Sequence, residues 1–206
     1  MPTTDTLLTF AAAALAVLLV PGPSVVYVMS RSIAQGRAAG LVSMLGLETG
    51  AVVHMCAAAG GVAALVAASQ PVYAALRYGG AIYLVYLGIR EIRVAVGPVE
   101  APSTTDATRT RLFRDGVMVD LLNPKSALFF LSFLPQFVQP VRGSESGQVI
   151  VLGCCFVLMA VVCDSSYALL AGSFSRRLSS SARAQRMVNR TTGCVYLGLG
   201  AVVCFA

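Results

Sequence analysis

Apolar segments long enough to cross a membrane are the feature that most constrains how this chain can fold. Six of them occur in the 206 residues, at about 7–30, 40–68, 72–89, 116–138, 147–171 and 191–206. A bilayer core of about 30 Å takes about 20 apolar residues per helix. Apolar side chains make up 57% of the sequence and the mean hydropathy is +0.78, well above the values of a soluble domain. The sequence therefore predicts an all-α integral membrane protein with six transmembrane helices.

Arginines concentrate in the loops on one side of the predicted bundle. Twelve fall in the loops after helices 1, 3 and 5, whereas the other side has two, Arg77 and Arg142. The arginine-rich side faces the cytoplasm by the positive-inside rule, so both termini are predicted outside. These loops also account for the net charge of +6, and no nucleic-acid partner is predicted. Residues 1–6 lack the basic start of a signal peptide, so the first helix is expected to remain in the mature protein.

Three collinear matches divide the chain into two halves. They pair LLVP at 18–21 with LLNP at 121–124, GLVSMLG at 40–46 with GQVIVLG at 147–153, and RYGGAIYL at 77–84 with RTTGCVYL at 190–197. Each unit holds three helices, so the second unit must enter the membrane in the opposite direction, as in many secondary transporters. We predict a 3+3 inverted repeat within one transmembrane domain, with a first repeat at 1–96, a Pro, Ser and Thr-rich linker at 97–111, and a second repeat at 112–206.

Prolines interrupt helices 1 and 4 at matching positions. The sequence PGP breaks the first helix at 21–23, and NPK breaks the fourth at 123–125. A proline lacks the backbone N–H and clashes with the carbonyl one turn earlier, so carbonyls and helix ends become available to a ligand. Matching breaks in two repeats indicate a binding site near the midplane. The alternative is that each proline merely kinks a packed helix.

Four ionisable side chains fall within or beside the predicted spans. They are Glu48, Asp120, Lys125 and Asp164, and each costs about 3 kcal/mol at membrane depth unless it is paired or hydrated. Asp120 lies near the inner boundary, where an interfacial position is the alternative. A structural ion pair of Lys125 with Asp164 or Asp120 is another. We interpret His54, on a different face of helix 2 from Glu48, as a hydrogen-bonded packing residue rather than a proton carrier.

Three segments resemble the lysine exporter family of the homoserine and threonine efflux type. They begin PGPSVVYVMSRS at residue 21, FRDGVMVDLLNPKSALFFLSFLPQFV at residue 113 and DSSYALLAG at residue 164. The resemblance implies a bacterial inner-membrane exporter of amino acids or close derivatives, driven by the proton motive force. The family's motifs fall on Pro21, Gly22, Pro23, Asn123, Pro124, Lys125 and Asp164. Asp120 is a departure, because similar sequences more usually have Asn there.

A transport mechanism follows from the breaks and the charges together. The carboxylate of an amino-acid zwitterion would bind Lys125 and the N-terminus of a half-helix. Its ammonium would contact the carbonyls freed at 20–23 and a carboxylate, Asp164 or Glu48. The same carboxylate would take up a proton from outside when the site is empty. We therefore predict a proton-coupled transporter of a small molecule rather than an enzyme, with no metal or cofactor.

Other classes of membrane protein remain as alternatives. A cation exporter would be expected to have more acidic residues and no buried lysine, and a channel-like pore would tolerate the loss of Lys125. A membrane thiol electron carrier needs a reactive cysteine at both breaks, and none of the six cysteines is near Pro21 or Pro124. We interpret the cysteines as small apolar side chains. The small residues on helix 2 would also allow a homodimer.

Overall fold

Helices form all the regular structure in the described part of this computed structural model, which comprises residues 1–68 and 107–179 and isolated helical positions within 78–93 and 190–201. The helices are α1 (Thr4–Leu18), α2 (Pro23–Gln35), α3 (Arg37–Ala68), α4 (Arg109–Leu121), α5 (Pro124–Leu128) and α6 (Glu145–Ser179). A π-helical turn, Phe129–Phe133, and a 3-10 turn, Leu134–Phe137, continue α5. The prediction of an all-helical fold is confirmed for these residues.

The two predicted helix breaks are present and have similar geometry. The axes of α1 and α2 differ by 55°, and those of α4 and the helical segment Pro124–Phe137 differ by 51°. A proline stands at the start of both α2 and α5, where its missing N–H would have no intrahelical partner and its fixed φ suits the first turn. The prolines therefore end one helix and begin the next.

Two of the described helices are long and apolar enough to cross a membrane, through Arg37–Gly61 and Glu145–Ala171. The count rises to four if each bent pair is one span. Each bent pair is followed by one of these long helices, α3 or α6. The predicted spans at 72–89 and 191–206 lie outside the described residues except for isolated helical positions. Residues 97–106 of the predicted linker, which runs from 97 to 111, also lie outside the described residues.

α4 begins earlier than its apolar segment predicts. The segment starts at 116, whereas the helix starts at Arg109, where the Thr108 side chain accepts a hydrogen bond from Arg111 N at 3.3 Å. The first turns are charged, and Asp115 lies 3.8 Å from both Arg31 and Arg111. Because these turns precede it, Asp120 lies about three turns into the helix. The hydropathy boundary marks the apolar part of the helix, not its start.

Glycines allow the backbones of α3 and α4 to approach closely. A Cβ placed on Gly46 would clash with the carbonyl oxygen of Phe113, and one placed on Gly116 would clash with that of Ser43. A Cβ on Gly50 would lie 2.7 Å from Asp120 Cβ. The small-residue face of helix 2 is thus covered within the chain. The homodimer remains a prediction, and this face does not support it.

Aromatic rings fill the core between α1, α5 and α6. They pack in tilted and edge-to-face arrangements, with the Phe129 and Phe156 centroids 4.3 Å apart and those of Phe10 and Phe137 5.2 Å apart. The cluster consists of Phe10, Phe129, Phe130, Phe133, Phe137 and Phe156. Pro135 follows the π-helical turn, in which Leu134 N–H bonds to Phe129 O. This wider turn accommodates the proline within the segment.

Candidate functional site

Lys125 binds the carbonyls exposed by the break between α1 and α2. Pro21 has no N–H to give to Val17 O, which is four residues earlier. Lys125 Nζ donates to Val17 O at 2.9 Å and to Val20 O at 3.0 Å. Val17 O also accepts a longer bond, of 3.3 Å, from Val20 N. The ammonium at the second break therefore holds the open backbone of the first.

The other two prolines at the breaks also each deprive the carbonyl four residues earlier of its helical N–H donor. Pro23 leaves Leu19 O without its helical donor, and Tyr167 Oη of α6 donates to this oxygen at 3.0 Å. Pro124 does the same to Asp120 O, which lies 3.2 Å from His54 Nε2. A carbonyl only accepts, so this nitrogen carries the ring proton.

His54 also stacks on Phe130, with ring centroids 6.2 Å apart. These contacts agree with its interpretation as a packing residue.

Asn123 joins the two breaks directly. Its Nδ2 donates to Ser24 Oγ at 2.8 Å, and its Oδ1 accepts from Lys125 N at 3.0 Å. The first bond reaches the start of α2, and the second caps α5. Asn123 is 4% exposed, so both bonds lie in the protein interior. The side chain fixes the position of each break relative to the other.

Three carboxyl groups from different helices meet beside these breaks. Glu48 of α3, Asp120 of α4 and Asp164 of α6 are 7%, 5% and 7% exposed. The carboxyl groups of Glu48 and Asp164 are close enough to interact with each other. Two neighbouring carboxylates repel each other, and a proton shared between them would relieve the repulsion. Lys125 is close enough to interact electrostatically with Asp120 and Asp164.

Asp120 is almost completely enclosed by protein groups. Its Oδ1 accepts from Ser126 Oγ at 2.6 Å. Among the described residues, its Oδ2 and Glu48 Oε2 have no hydrogen-bond partner although both are buried. Asp120 is therefore enclosed by the protein, and its depth in the membrane remains a prediction. It lies about three turns into α4, where the helix packs closely against α3.

A cavity of about 520 Å³, counted with its open mouth, lies where these groups converge. Five of the eight predicted site residues line it, namely Gly22, Glu48, Asn123, Lys125 and Asp164. Pro21, Pro23 and Pro124 shape the breaks but are not among the lining residues. The described cysteines do not line the cavity, and the described His, Cys, Asp and Glu side chains form no group that could hold a metal ion.

Several residues of the site were not predicted. Ser24 and Ser126 line the cavity, and each directly follows a motif proline or lysine in the sequence. Tyr167 lies three residues after Asp164, on the same face of α6. Phe129 and Phe156 supply the apolar wall next to the aromatic cluster. Spacing from a recognised acid could have found Tyr167, but a wall of phenylalanines has no separate signal in an apolar sequence.

The sequence profile of LysE type translocators matches residues 15–206, nearly the whole chain. The chain belongs to the LysE type translocator family. This confirms the resemblance seen in the sequence and places the protein among translocators rather than enzymes. No solved structure matches this translocator.

Bacterial relatives match the translocator along almost their full length. An uncharacterized membrane protein of Vibrio cholerae is 32% identical over 91% of this chain and 91% of its own. A homoserine/homoserine lactone efflux protein of Salmonella typhimurium is 29% identical over 91% of this chain and 90% of its own. A leucine efflux protein of Klebsiella pneumoniae is 29% identical over 94% of this chain and 92% of its own.

Proposed function

We propose that this translocator exports amino acids or close derivatives across the bacterial inner membrane, in exchange for protons. The observation that carries the proposal is the cavity between the two breaks, where Lys125 and three buried carboxyl groups meet. Ionisable groups within a membrane protein mark substrate or proton pathways. The names of the Salmonella and Klebsiella relatives support an amino-acid or lactone substrate.

The substrate carboxylate would bind at the start of α2. Gly22, Ser24 and Val25 line the cavity there, at the N-terminus of a helix of 13 residues. Backbone N–H groups and the helix dipole favour an anion at this position. Lys125 lies in the same cavity and adds a positive charge nearby. This arrangement agrees with the carboxylate site predicted from the sequence.

The substrate ammonium would bind the carboxyl groups rather than the freed carbonyls. Lys125 already donates to Val17 O and Val20 O, and Tyr167 to Leu19 O. An ammonium at these carbonyls would have to displace a protein donor. Glu48 Oε2 is buried and accepts no hydrogen bond from the described residues, so it gives an ammonium an acceptor without that cost.

Proton coupling would use the neighbouring carboxyl groups of Glu48 and Asp164. In the proposal, this pair holds one proton when no substrate is bound. A substrate ammonium at Glu48 favours loss of this proton, and reprotonation favours loss of the ammonium. Because the effects of two ligands on each other are reciprocal, competition at one carboxyl group would couple proton entry to substrate exit.

The inverted 3+3 topology, with both termini outside, is also part of the proposal. The Met1 amino group donates to Arg142 O at 2.6 Å, so α1 begins at the same end of the bundle as the loop before α6. Arg31, Arg111 and Asp115 interact at the other end. Basic residues are few near Arg142, which agrees with an outer end of the bundle. They are many near Arg111, which agrees with a cytoplasmic end.

Efflux from proteoliposomes loaded with a panel of amino acids and their derivatives tests the transport proposal. With an imposed proton gradient, acidic outside, we expect faster efflux of at least one class of amino compound. Protein-free liposomes and the Lys125→Ala variant should both show only leakage. Efflux that saturates with no compound, or that persists at full rate in Lys125→Ala, would favour a channel-like pore.

Labelling of single cysteines tests the topology in a variant without native cysteines. Val141, 94% exposed, and Ala38, exposed at the start of α3, offer sites at opposite ends of the bundle. In intact cells, an impermeant maleimide should label Val141→Cys and leave Ala38→Cys unlabelled until the membrane is opened. The reverse pattern would contradict the proposed orientation.

A further inference from the structure

An apolar layer separates the cavity from the end of the bundle at which α1 begins. In α1, Phe10 lies about two turns, or about 10 Å, before the cavity residue Val17. In α6, Val149 lies about as far before the cavity residue Phe156. Phe10 and Val149 are both 0% exposed. A substrate that leaves at this end must pass this layer, which the described residues close.

The third element of the layer is irregular. After α5 the chain forms a π-helical turn, then 3-10 turns at Leu134–Phe137 and Pro140–Arg142 with extended backbone between them. Stretches of π and 3-10 helix beside an α-helix often mark functional hinges. α1 and α6 are regular α-helices on either side of the layer. Residues 134–143, here called the gate segment, can therefore move with the least loss of helical hydrogen bonds.

Gln148 of α6 holds the gate segment in place. Its side chain is 1% exposed and pairs with both backbone groups of Gln139. Gln139 N–H donates to Gln148 Oε1 at 3.1 Å, and Gln148 Nε2 donates to Gln139 O at 2.9 Å. This exchange of two hydrogen bonds is what a neighbouring strand gives to an extended residue. A buried amide costs free energy unless it is paired, so the pairing favours the closed position of the segment.

Two further hydrogen bonds tie the gate segment to the beginning of the chain. Gln139 Nε2 donates to Thr6 Oγ1 at 3.3 Å, and the Met1 amino group donates to Arg142 O at 2.6 Å. These bonds, like those of Gln148, involve side chains or the terminus and are not part of a helix. The segment can therefore separate from α1 and α6 without unwinding either helix.

We propose that the gate segment closes the exit of this translocator and that Gln148 holds it shut. The inference rests on the proposed function, which places substrate release at this end of the bundle. The segment moves away from α1 and α6 about the π-helical turn, and this motion takes Leu134 and Phe137 out of the apolar layer. Return of the segment restores the pairing of Gln148 with Gln139. Gln148 is a positioning residue, because it contacts the segment and not the substrate.

Labelling of a cysteine inside the cavity measures the gate without knowledge of the substrate. In a variant without native cysteines, Ala160→Cys places a thiol at a cavity position that is 3% exposed. An impermeant thiosulfonate is added to intact cells or to inside-out vesicles. Gln148→Leu removes the pairing with Gln139 and keeps a side chain of similar size. The matched control, Ser146→Ala, removes a 2.8 Å hydrogen bond to Ala59 O at the same end of α6.

Gln148→Leu should raise the rate of labelling from outside by about tenfold, as expected for the loss of two hydrogen bonds between neutral groups. Ser146→Ala should leave this rate unchanged, and neither variant should raise the rate in inside-out vesicles. Equal rates from outside in the two variants would overturn the inference. A similar rise from both sides of the membrane would also overturn it, because it would mean a general loosening of the bundle.

A cross-link tests the gate with Gln148 in place. Thr6→Cys and Gln139→Cys replace side chains that lie 3.3 Å apart, and a short bifunctional thiosulfonate joins the two thiols in proteoliposomes. A segment tied to α1 cannot open, so efflux should fall to background and return when a reductant cleaves the link. Full efflux from the cross-linked protein overturns the inference even if Gln148→Leu fails to accumulate. If the unaltered protein transports no amino compound, the proposed function fails, whereas the labelling rates still decide the role of Gln148.

Discussion

Replacement of Lys125 by alanine removes the cation that links the two breaks, and its effect on stability can be worked out from the structure. Lys125 Nζ donates at 2.9 and 3.0 Å to two backbone carbonyls. At about 1.5 kcal/mol for each charged hydrogen bond, the variant should lose about 3 kcal/mol of the free energy of unfolding. At about 2–4 °C per kcal/mol for a chain of this size, the melting midpoint should fall by about 6–12 °C.

The double variant with Asp164→Ala separates a structural ion pair from a transport site. Either single change leaves a buried charge without its counterpart, whereas the double change removes both charges. The melting midpoint in detergent and the amount of protein in the membrane should therefore recover part of the loss. Efflux should remain at background, because the substrate and proton groups are both absent. Arg142→Ala, which removes an exposed cation, serves as the control and should change neither quantity.

Two results would refute this reasoning. Efflux that returns in the double variant would mean that Lys125 and Asp164 form a structural pair and that the binding site lies elsewhere. A midpoint in Lys125→Ala within about 1 °C of the unaltered protein would mean that the two carbonyl contacts contribute little to stability, well below the range expected for charged donors.

Four further variants test the breaks and the packing around them. Pro21→Ala supplies an N–H that competes with Lys125 for Val17 O, and Pro124→Ala supplies one that competes with His54 for Asp120 O. Efflux should fall severalfold in each variant while the protein remains folded. Full efflux in both would show that the prolines are simple kinks. Tyr167→Phe removes the hydroxyl that donates to Leu19 O at 3.0 Å. A loss of about 1 kcal/mol should lower the melting midpoint by about 2–4 °C. An unchanged midpoint would show that this hydrogen bond does not stabilise the protein. Gly46→Ala should push α4 away from α3 and lower the free energy of unfolding by about 1–3 kcal/mol. Its control, Gly60→Ala on the same helix, places a methyl group in open space and should not destabilise the protein. Equal melting midpoints for the two variants would contradict the close approach of α3 and α4.

The helix breaks could be predicted because their cause is local. A proline lacks its N–H in any surroundings, so PGP at 21–23 and NPK at 123–125 indicate interruptions without knowledge of the fold. The same reasoning identifies the carbonyls that are freed, since each lies four residues before a proline. The apolar lengths likewise predicted α3 and α6, whose membrane-crossing parts lie at Arg37–Gly61 and Glu145–Ala171.

The donors that satisfy those carbonyls could not be predicted, because they are far away in the sequence. Lys125 is 108 residues from Val17, and Tyr167 is 148 residues from Leu19. The sequence predicts that these carbonyls bind the substrate ammonium, whereas in the structure they accept hydrogen bonds from protein side chains. Such pairings depend on how the helices pack, and a single sequence with many similar apolar segments does not specify that packing.

Asp120 shows that the place of a charge in the sequence does not reveal its surroundings. The sequence puts this carboxyl group near the start of an apolar segment that begins at 116. In the structure, α4 packs closely against α3, and a Cβ on Gly50 would lie 2.7 Å from Asp120 Cβ. This packing, which depends on residues far away in the sequence, places Asp120 among the three carboxyl groups of the cavity.

Proton movement driven by the substrate alone tests the central claim most directly. Proteoliposomes would be loaded with a transported amino compound and a pH-sensitive dye, with no proton gradient imposed. As the substrate leaves, exchange predicts that the lumen acidifies at a rate proportional to efflux, and that Glu48→Gln abolishes this acidification. Substrate efflux with a constant lumenal pH would contradict proton antiport through the Glu48 and Asp164 pair.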